Sequence, residues 1–177
     1  MLYLAYCPVE NETPSETAHA LLERLYRRAY GEAMPPLVYE PGGKPGFSGG
    51  RFCSITHTKR SAFCAVSNQA VGIDAEEMDR KVTPGLARRL YASAERETAP
   101  SASEGMLRYW TLKEAYLKYT GEGLRRDLRE LTFLFPDGTP KLLGSELHFQ
   151  QMEIFGCFLA ICTPKPCAIA PNQVLVL

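Results

Sequence analysis

The sequence predicts an α+β fold, and three observations lead there. Short runs of alternating apolar and polar residues are joined by turn-forming residues, as in antiparallel sheets. Stretches with apolar residues at helical spacing lie between them, with start and stop signals. Apolar residues make up 45% of the chain and charged residues 23%, the balance of a globular domain and not of a disordered segment. At 177 residues, one domain or two small halves sharing a core are the reasonable counts. A chain of that length buries roughly 70% of its unfolded surface.

The first ten residues, MLYLAYCPVE, hold a brief apolar run before Pro8, which reads as a strand and lacks the basic start of a signal peptide. Residues 12–31 read as a helix that Thr13 or Ser15 can cap and Gly31 stops. The Pro- and Gly-rich stretch that follows, up to residue 51, is mostly loop. Residues 51–58 and 61–68 read as strands, followed by a third at 70–77. Asn68-Gln69 is a connection short enough for a hairpin, so the second and third are expected to pair antiparallel. A second helical stretch spans 83–97, with Pro84 near its start. The clearest helix spans residues 103–120, with Ser103 able to cap it and Gly121 ending it. Short strands (LTFLF, LHFQQMEIF, CFLAICT, QVLVL) alternate with turns such as Pro136-Asp137-Gly138 over the remainder.

Twenty basic and twenty acidic residues cancel, so the global charge footprint of a nucleic-acid or anionic-membrane binder is missing. No apolar stretch approaches a bilayer-spanning length, and a cytoplasmic location is expected. The six cysteines include no Cys-x-x-Cys pair. Cys157 and Cys162 are an odd number of residues apart in one strand, hence on opposite faces, and small buried thiols are the expectation.

The chemistry gathers around VGIDAEEMDR, residues 71–80. As a strand it places Val71, Ile73 and Ala75 on one face and Gly72, Asp74 and Glu76 on the other. Two same-face carboxylates are either solvated residues of a half-buried strand or part of a hard-cation site, which takes carboxylate oxygens and leaves room for substrate phosphates. Gly72 would let another backbone or a ligand approach. On the 103–120 helix, Tyr109, Leu112, Tyr116 and Tyr119 form the expected buried stripe. Glu114 and Lys118 fall roughly opposite it; in isolation they form an exposed pair worth about 0.3–0.5 kcal/mol. His57 sits among the hydroxyls of Ser54, Thr56 and Thr58. With three histidines in the chain and no G-x-S-x-G, a nucleophilic triad has no context, and PGGKPG is not a Walker loop because Pro follows the lysine.

Taken in order, Gly43-Lys44-Pro45, then FCSITHT with Thr56-His57, then VGIDAE, then WTLKEAYLKYTGEGL resemble the 4′-phosphopantetheinyl transferases. The likeness is to the monomeric type that activates peptide synthetases, not to the shorter trimeric holo-acyl-carrier-protein synthase type, and it runs from about residue 17 to 165. It implies two similar α/β halves related by a pseudo-two-fold axis, here residues 1–70 and 71–177, with coenzyme A between them. It implies that phosphopantetheine passes from coenzyme A to a serine of an apo acyl or peptidyl carrier protein, with release of 3′,5′-ADP. Asp74, Glu76 and Glu114 would hold magnesium, or manganese. Glu114 would also be the base and Lys118 would stabilise the leaving phosphate. Lys44, Thr56 and His57 would line the phosphoadenosine side, with Asp74 and Lys118 near the pyrophosphate. Trp110 and Lys113 are motif residues of less defined role. The alternative is a protein of the same fold that binds coenzyme A or a carrier without transferring.

Three departures from the family pattern stand out: Ala75 precedes Glu76 where a larger aliphatic residue is usual, Thr56 replaces serine, and the basic segment ahead of the first helix is short, leaving Arg24, Arg27 and Arg28 as substitutes. An acidic carrier would meet Arg88 and Arg89, or Arg125, Arg126 and Arg129.

Overall fold

The computed structural model describes Met1–Leu177, except for the side chains of Pro84 and Leu124. Two antiparallel-rich sheets pack face to face. The first has the order β11-β1-β5-β4, formed by β1 (Leu2–Pro8), β4 (Phe52–His57), β5 (Ser61–Ser67) and β11 (Leu175–Val176). The second has the order β6-β10-β9, formed by β6 (Gly72–Glu77), β9 (His148–Ile154) and β10 (Cys157–Thr163). Their inner faces meet through Leu4, Phe63, Val71, Ile73, Leu159 and Ile161. Two small hairpins complete the strands, β2 (Leu37–Tyr39) with β3 (Pro45–Phe47) and β7 (Phe133–Leu134) with β8 (Lys141–Leu142).

Helix α1 (Pro14–Tyr30) covers the first sheet's other face with Leu21, Leu22 and Leu25 set against Cys53, Cys64 and Val66. Of the two expected caps Thr13 is used, in a reciprocal capping box with Glu16, and Gly31 closes the helix in the left-handed conformation. Helix α3 (Ser103–Thr120) covers the second sheet in the same way, and Gly121 ends it at φ 77°. The start of α3 differs from expectation: Ala102 is the N-cap, and the Ser103 hydroxyl instead accepts the Val82 N–H at 3.4 Å.

Three other expectations change. Residues 67–72 do not form a hairpin, because both edges of β5 are occupied, by β1 and β4, and β6 crosses to pair with β10. The tight hairpin joins β4 to β5 through a turn in which Thr58 N–H donates to Ser61 O at 2.8 Å. The helix expected over 83–97 stops early as α2 (Pro84–Leu90), since the following turn must carry Glu95 inward. The stripe on α3 is wider than the one expected: Leu107, Lys113, Ala115 and Leu117 are buried while Tyr116 and Tyr119 are half-buried. A sheet lies on one side of this helix and α2 with the β7–β8 region on another, so a single apolar face does not describe it.

The clean alternation of β6 holds. Val71, Ile73 and Ala75 lie in the inter-sheet core, and Gly72 on the opposite face meets α3, where a Cβ would stand 2.1 Å from Ala115 O. That contact brings the α3 backbone directly over β6.

Candidate active site

Asp74 and Glu76 are therefore not the water-facing residues of a one-sided sheet. Asp74 is 6% exposed and lies under α3, where Lys118 Nζ donates to its Oδ1 at 2.7 Å and Thr56 Oγ1 donates to the same oxygen at 3.0 Å. Its other oxygen, Oδ2, is buried with no hydrogen-bond partner, and so is Glu114 Oε1 one helical turn from Lys118. An unpartnered buried carboxylate oxygen is costly unless something else neutralises it.

The electrostatics carry the same message. Burial pushes the Glu114 carboxyl up to about 7, the Asp74 charge adds to the effect, and Lys118 opposes it. Burial also raises Glu76, against the pull of its ion pair with Arg80. Because the raised value favours the protonated acid in the folded state, its stabilising contribution is complete below about 4.5 and is lost as the pH climbs through about 7. The full span corresponds to up to about 3 kcal/mol. In chelated buffer the native protein should thus lose stability relative to Glu114→Gln between pH 5 and pH 8, measured by urea unfolding. Parallel pH dependences for the two proteins would contradict a raised Glu114.

Could these groups hold a cation? The donor set fits a hard divalent ion, since two buried carboxylate oxygens lack a hydrogen-bond partner and the Asp74 charge acts on Glu114 to raise it further. As they stand, though, no three His, Cys, Asp or Glu side chains among the described residues are gathered closely enough to hold a metal. The reason is visible in two contacts: Glu76 is turned to Arg80, and Lys118 sits on Asp74.

Lys44 arrives from the other half of the chain. Its Nζ donates to Tyr119 O at the end of α3 and lies 5.6 Å from the Tyr119 ring centroid. A cation at a helix C-terminus offsets the partial negative charge there. Burial lowers the Lys44 ammonium from its ordinary value. The loop carrying it is clasped to the helix end by close approach of glycines: a Cβ on Gly42 would fall 2.0 Å from Gly121 O. Between this loop, β4 and α3 opens a cleft of ≈ 400 Å³ lined by Lys44, Ser54, Glu114 and Lys118, together with His19 and Tyr39.

The remaining motif residues separate. Thr56 is buried, and its hydroxyl donates to Asp74 Oδ1 and accepts the Ala75 N–H. His57 is exposed and opens onto an adjoining basin with Glu76 and Arg80; burial and the Lys118 charge lower its pKa. Trp110 is half-buried beside Leu86 and Leu128. Lys113 points away from Glu114 into the core, where its Nζ donates to Glu95 Oε2 at 2.6 Å, Leu90 O at 2.7 Å and Leu128 O at 3.1 Å. Of the candidate substitutes on α1, Arg24 donates to Cys7 Sγ and Arg27 pairs with Glu23.

Sequence reasoning missed Glu95, Ser54, His19 and Tyr39. Glu95 falls in the stretch expected to be helical over 83–97, and nothing local marks it as buried. Ser54 did carry a signal: it shares a strand face with Thr56, two residues away.

The chain is similar to several known proteins. Residues 70–166 match the family model described as the 4′-phosphopantetheinyl transferase superfamily, labelled ACPS. The 4′-phosphopantetheinyl transferase HetI of Nostoc sp. is 32% identical over 129 residues, which cover 66% of this chain and 54% of that protein. The 4′-phosphopantetheinyl transferase AcpT of Salmonella typhimurium is 28% identical over 150 residues, 80% of this chain and 73% of its own. The chain thus spans little more than half the length of HetI. A solved structure, the holo-acyl-carrier-protein synthase (AcpS) of Thermotoga maritima, superposes with a TM-score of 0.43 at 25% identity over 52% of this chain and 61% of that one.

Proposed function

The chain belongs to the 4′-phosphopantetheinyl transferase superfamily, and on that premise we propose that it transfers the 4′-phosphopantetheine moiety of coenzyme A to a serine of an apo acyl or peptidyl carrier protein. The observation that carries the reading is the pair of unpartnered carboxylate oxygens, Asp74 Oδ2 and Glu114 Oε1, with Lys118 bonded to Asp74 and with Glu114 and Lys118 lining the cleft that Lys44 also lines.

The carrier serine oxygen attacks the β-phosphorus of coenzyme A, a new P–O bond forms, and the bond to 3′,5′-ADP breaks. Glu114 takes the serine proton, directly or through a water. Without a cation its carboxyl is raised to about 7, and a bound cation would favour the ionised form that accepts the proton. Lys118 offers its charge to the departing phosphate, and Lys44 and His57 line the phosphoadenosine side. Asp74, Glu76 and Glu114 would hold magnesium or manganese, with Glu76 released from Arg80. When bound, that cation supplies positive charge against the pyrophosphate oxygens. Positioning and charge are the whole of the problem in such a displacement, which is why carboxylates, lysines and a cleft suffice.

The same reading covers the chain's larger design. Each half has one long helix laid on an antiparallel sheet, α1 on the first and α3 on the second, and this supports a pseudo-two-fold relation between residues 1–70 and 71–177. The final strand, β11, returns to the edge of the first sheet. A monomer is the proposed state. Among the described residues no helix is long and apolar enough to cross a membrane, and the six cysteines are free, which fits the reducing cytoplasm. For the carrier's acidic surface, Arg88 and Arg89 are exposed on α2, while Arg126 and Arg129 are engaged with Glu122, Glu130 and Asp127.

A coenzyme A-binding protein without transfer activity is the second reading, favoured by the Arg80 contact that keeps Glu76 out of the ligand set. Incubation of the protein with apo carriers, coenzyme A and magnesium separates the two. Transfer gives a mass gain of one phosphopantetheine on the carrier serine. Coenzyme A binding with no mass gain on any of a panel of fatty-acid, polyketide and peptide carriers would favour the binder.

A further inference from the structure

Strands β4 and β6 are neighbouring edges of different sheets, and two side-chain hydroxyls bridge them. Ser54 Oγ accepts the Ile73 N–H at 3.0 Å, and Thr56 Oγ1 accepts the Ala75 N–H at 3.3 Å. The spacing of two on both strands brings same-face hydroxyls to successive same-face amides, so the pair acts as a substitute for ladder carbonyls. All four residues are buried, where an amide without an acceptor would be costly.

Thr56 has a second task that Ser54 lacks. A hydroxyl has one proton to give, and that of Thr56 goes to Asp74 Oδ1. Lys118 donates to the same oxygen. Both donors on Oδ1 leave Oδ2 as the carboxylate oxygen without a partner. Of the two, Lys118 is a long side chain that is 31% exposed, whereas Thr56 is β-branched, 4% exposed and tied to the opposite strand. The terminal torsion of an aspartate is broad, so a lone lysine would let the carboxylate turn.

We propose that Thr56 is a positioning residue: it fixes the carboxylate of Asp74 from the other half of the molecule, so that Oδ2 is the oxygen presented to the site, and it does not contact the substrate. The proposal rests on the functional reading above for what Asp74 presents itself to, a divalent cation. A neighbour that orients a ligating carboxylate typically changes metal affinity by roughly 10–100-fold.

Three full-length variants test it. Thr56→Val keeps the shape and removes the hydroxyl; Thr56→Ser keeps the hydroxyl; Ser54→Ala removes a seam bond of the same kind without touching Asp74. Manganese titration of the purified protein, without carrier or coenzyme A, should show a loss of roughly 10–100-fold for Thr56→Val and affinities near the parent's for Thr56→Ser and Ser54→Ala. Crystal structures should show the Asp74 carboxylate rotated in Thr56→Val and unmoved in Ser54→Ala. Thr56→Val and Ser54→Ala that lose thermal stability together, with Asp74 unmoved in both, would reduce Thr56 to seam packing and overturn the proposal. Weakened coenzyme A binding with manganese affinity unchanged would make Thr56 a substrate contact and overturn it as well. A parent protein that binds no manganese would count against the cation in the functional reading. The Asp74 carboxylate in the Thr56→Val crystal then decides the positioning role, rotated in support or unmoved against it.

Discussion

Glu114→Gln should abolish phosphopantetheine transfer, by roughly 10²–10⁴-fold for the loss of a general base alone, while the protein stays folded. Glutamine preserves the shape of a side chain whose Oε1 is buried without a partner, so the substitution removes a charge and a proton acceptor and little else. Relief of the buried acid should even stabilise the fold above neutral pH, as the raised Glu114 value requires. The measurement is the rate of mass gain on an apo carrier serine, alongside circular dichroism and urea unfolding. Near-normal turnover in a folded Glu114→Gln protein would remove both the base and the ligand role from this residue.

Lys113→Met should destabilise the protein by about 3–5 kcal/mol, the usual cost of breaking one side of a buried ion pair. Lys113 is 0% exposed and Glu95 is 2% exposed. Without the ammonium, the Glu95 carboxylate remains in the core holding only the Ala92 and Phe133 N–H groups, each at 2.7 Å. Two backbone carbonyls, Leu90 O and Leu128 O, lose their donor at the same time. The cost arises from what is left uncompensated, so the double variant Lys113→Met with Glu95→Gln should recover part of it. Urea midpoints of the two single variants and the double variant complete a cycle. A Lys113→Met protein as stable as its parent would show that the pair holds nothing together.

These two neighbours on α3 show how much of the molecule was legible beforehand. The W-x-x-K-E-x-x-x-K spacing announced that Glu114 and Lys118 share a helix side, because helical geometry follows from the chain alone. It said nothing about which lysine serves the site and which serves the core. Lys113 and Lys118 have the same side chain on the same helix; only the arrival of Glu95 from a turn eighteen residues upstream separates them. The helix wheel also failed for a physical reason. It assumes one buried face, and α3 has neighbours on more than one side.

The hairpin expected between β5 and β6 failed in a related way. A two-residue connection permits a hairpin, but β5 already had partners on both edges, one of them, β1, far off in the chain. Pairing is a competition among all strands, and a local turn signal cannot report the competitors.

By itself the sequence determined the alternation of VGIDAE, the glycine ends of both long helices, and the set of residues that resembles the transferase motifs. Those depend on periods of two and 3.6 residues and on residue types, all of which are local. Only the tertiary structure decided that the Asp74 and Glu76 face is covered, that the Thr56 hydroxyl donates to Asp74, that Glu76 is turned to Arg80, and that Lys113 belongs to the core. Burial, desolvation and hydrogen-bond partnership depend on what crosses over from distant parts of the chain. They fix the raised pKa of Glu114 and the orphaned oxygens of Asp74 and Glu114, and no local pattern encodes them.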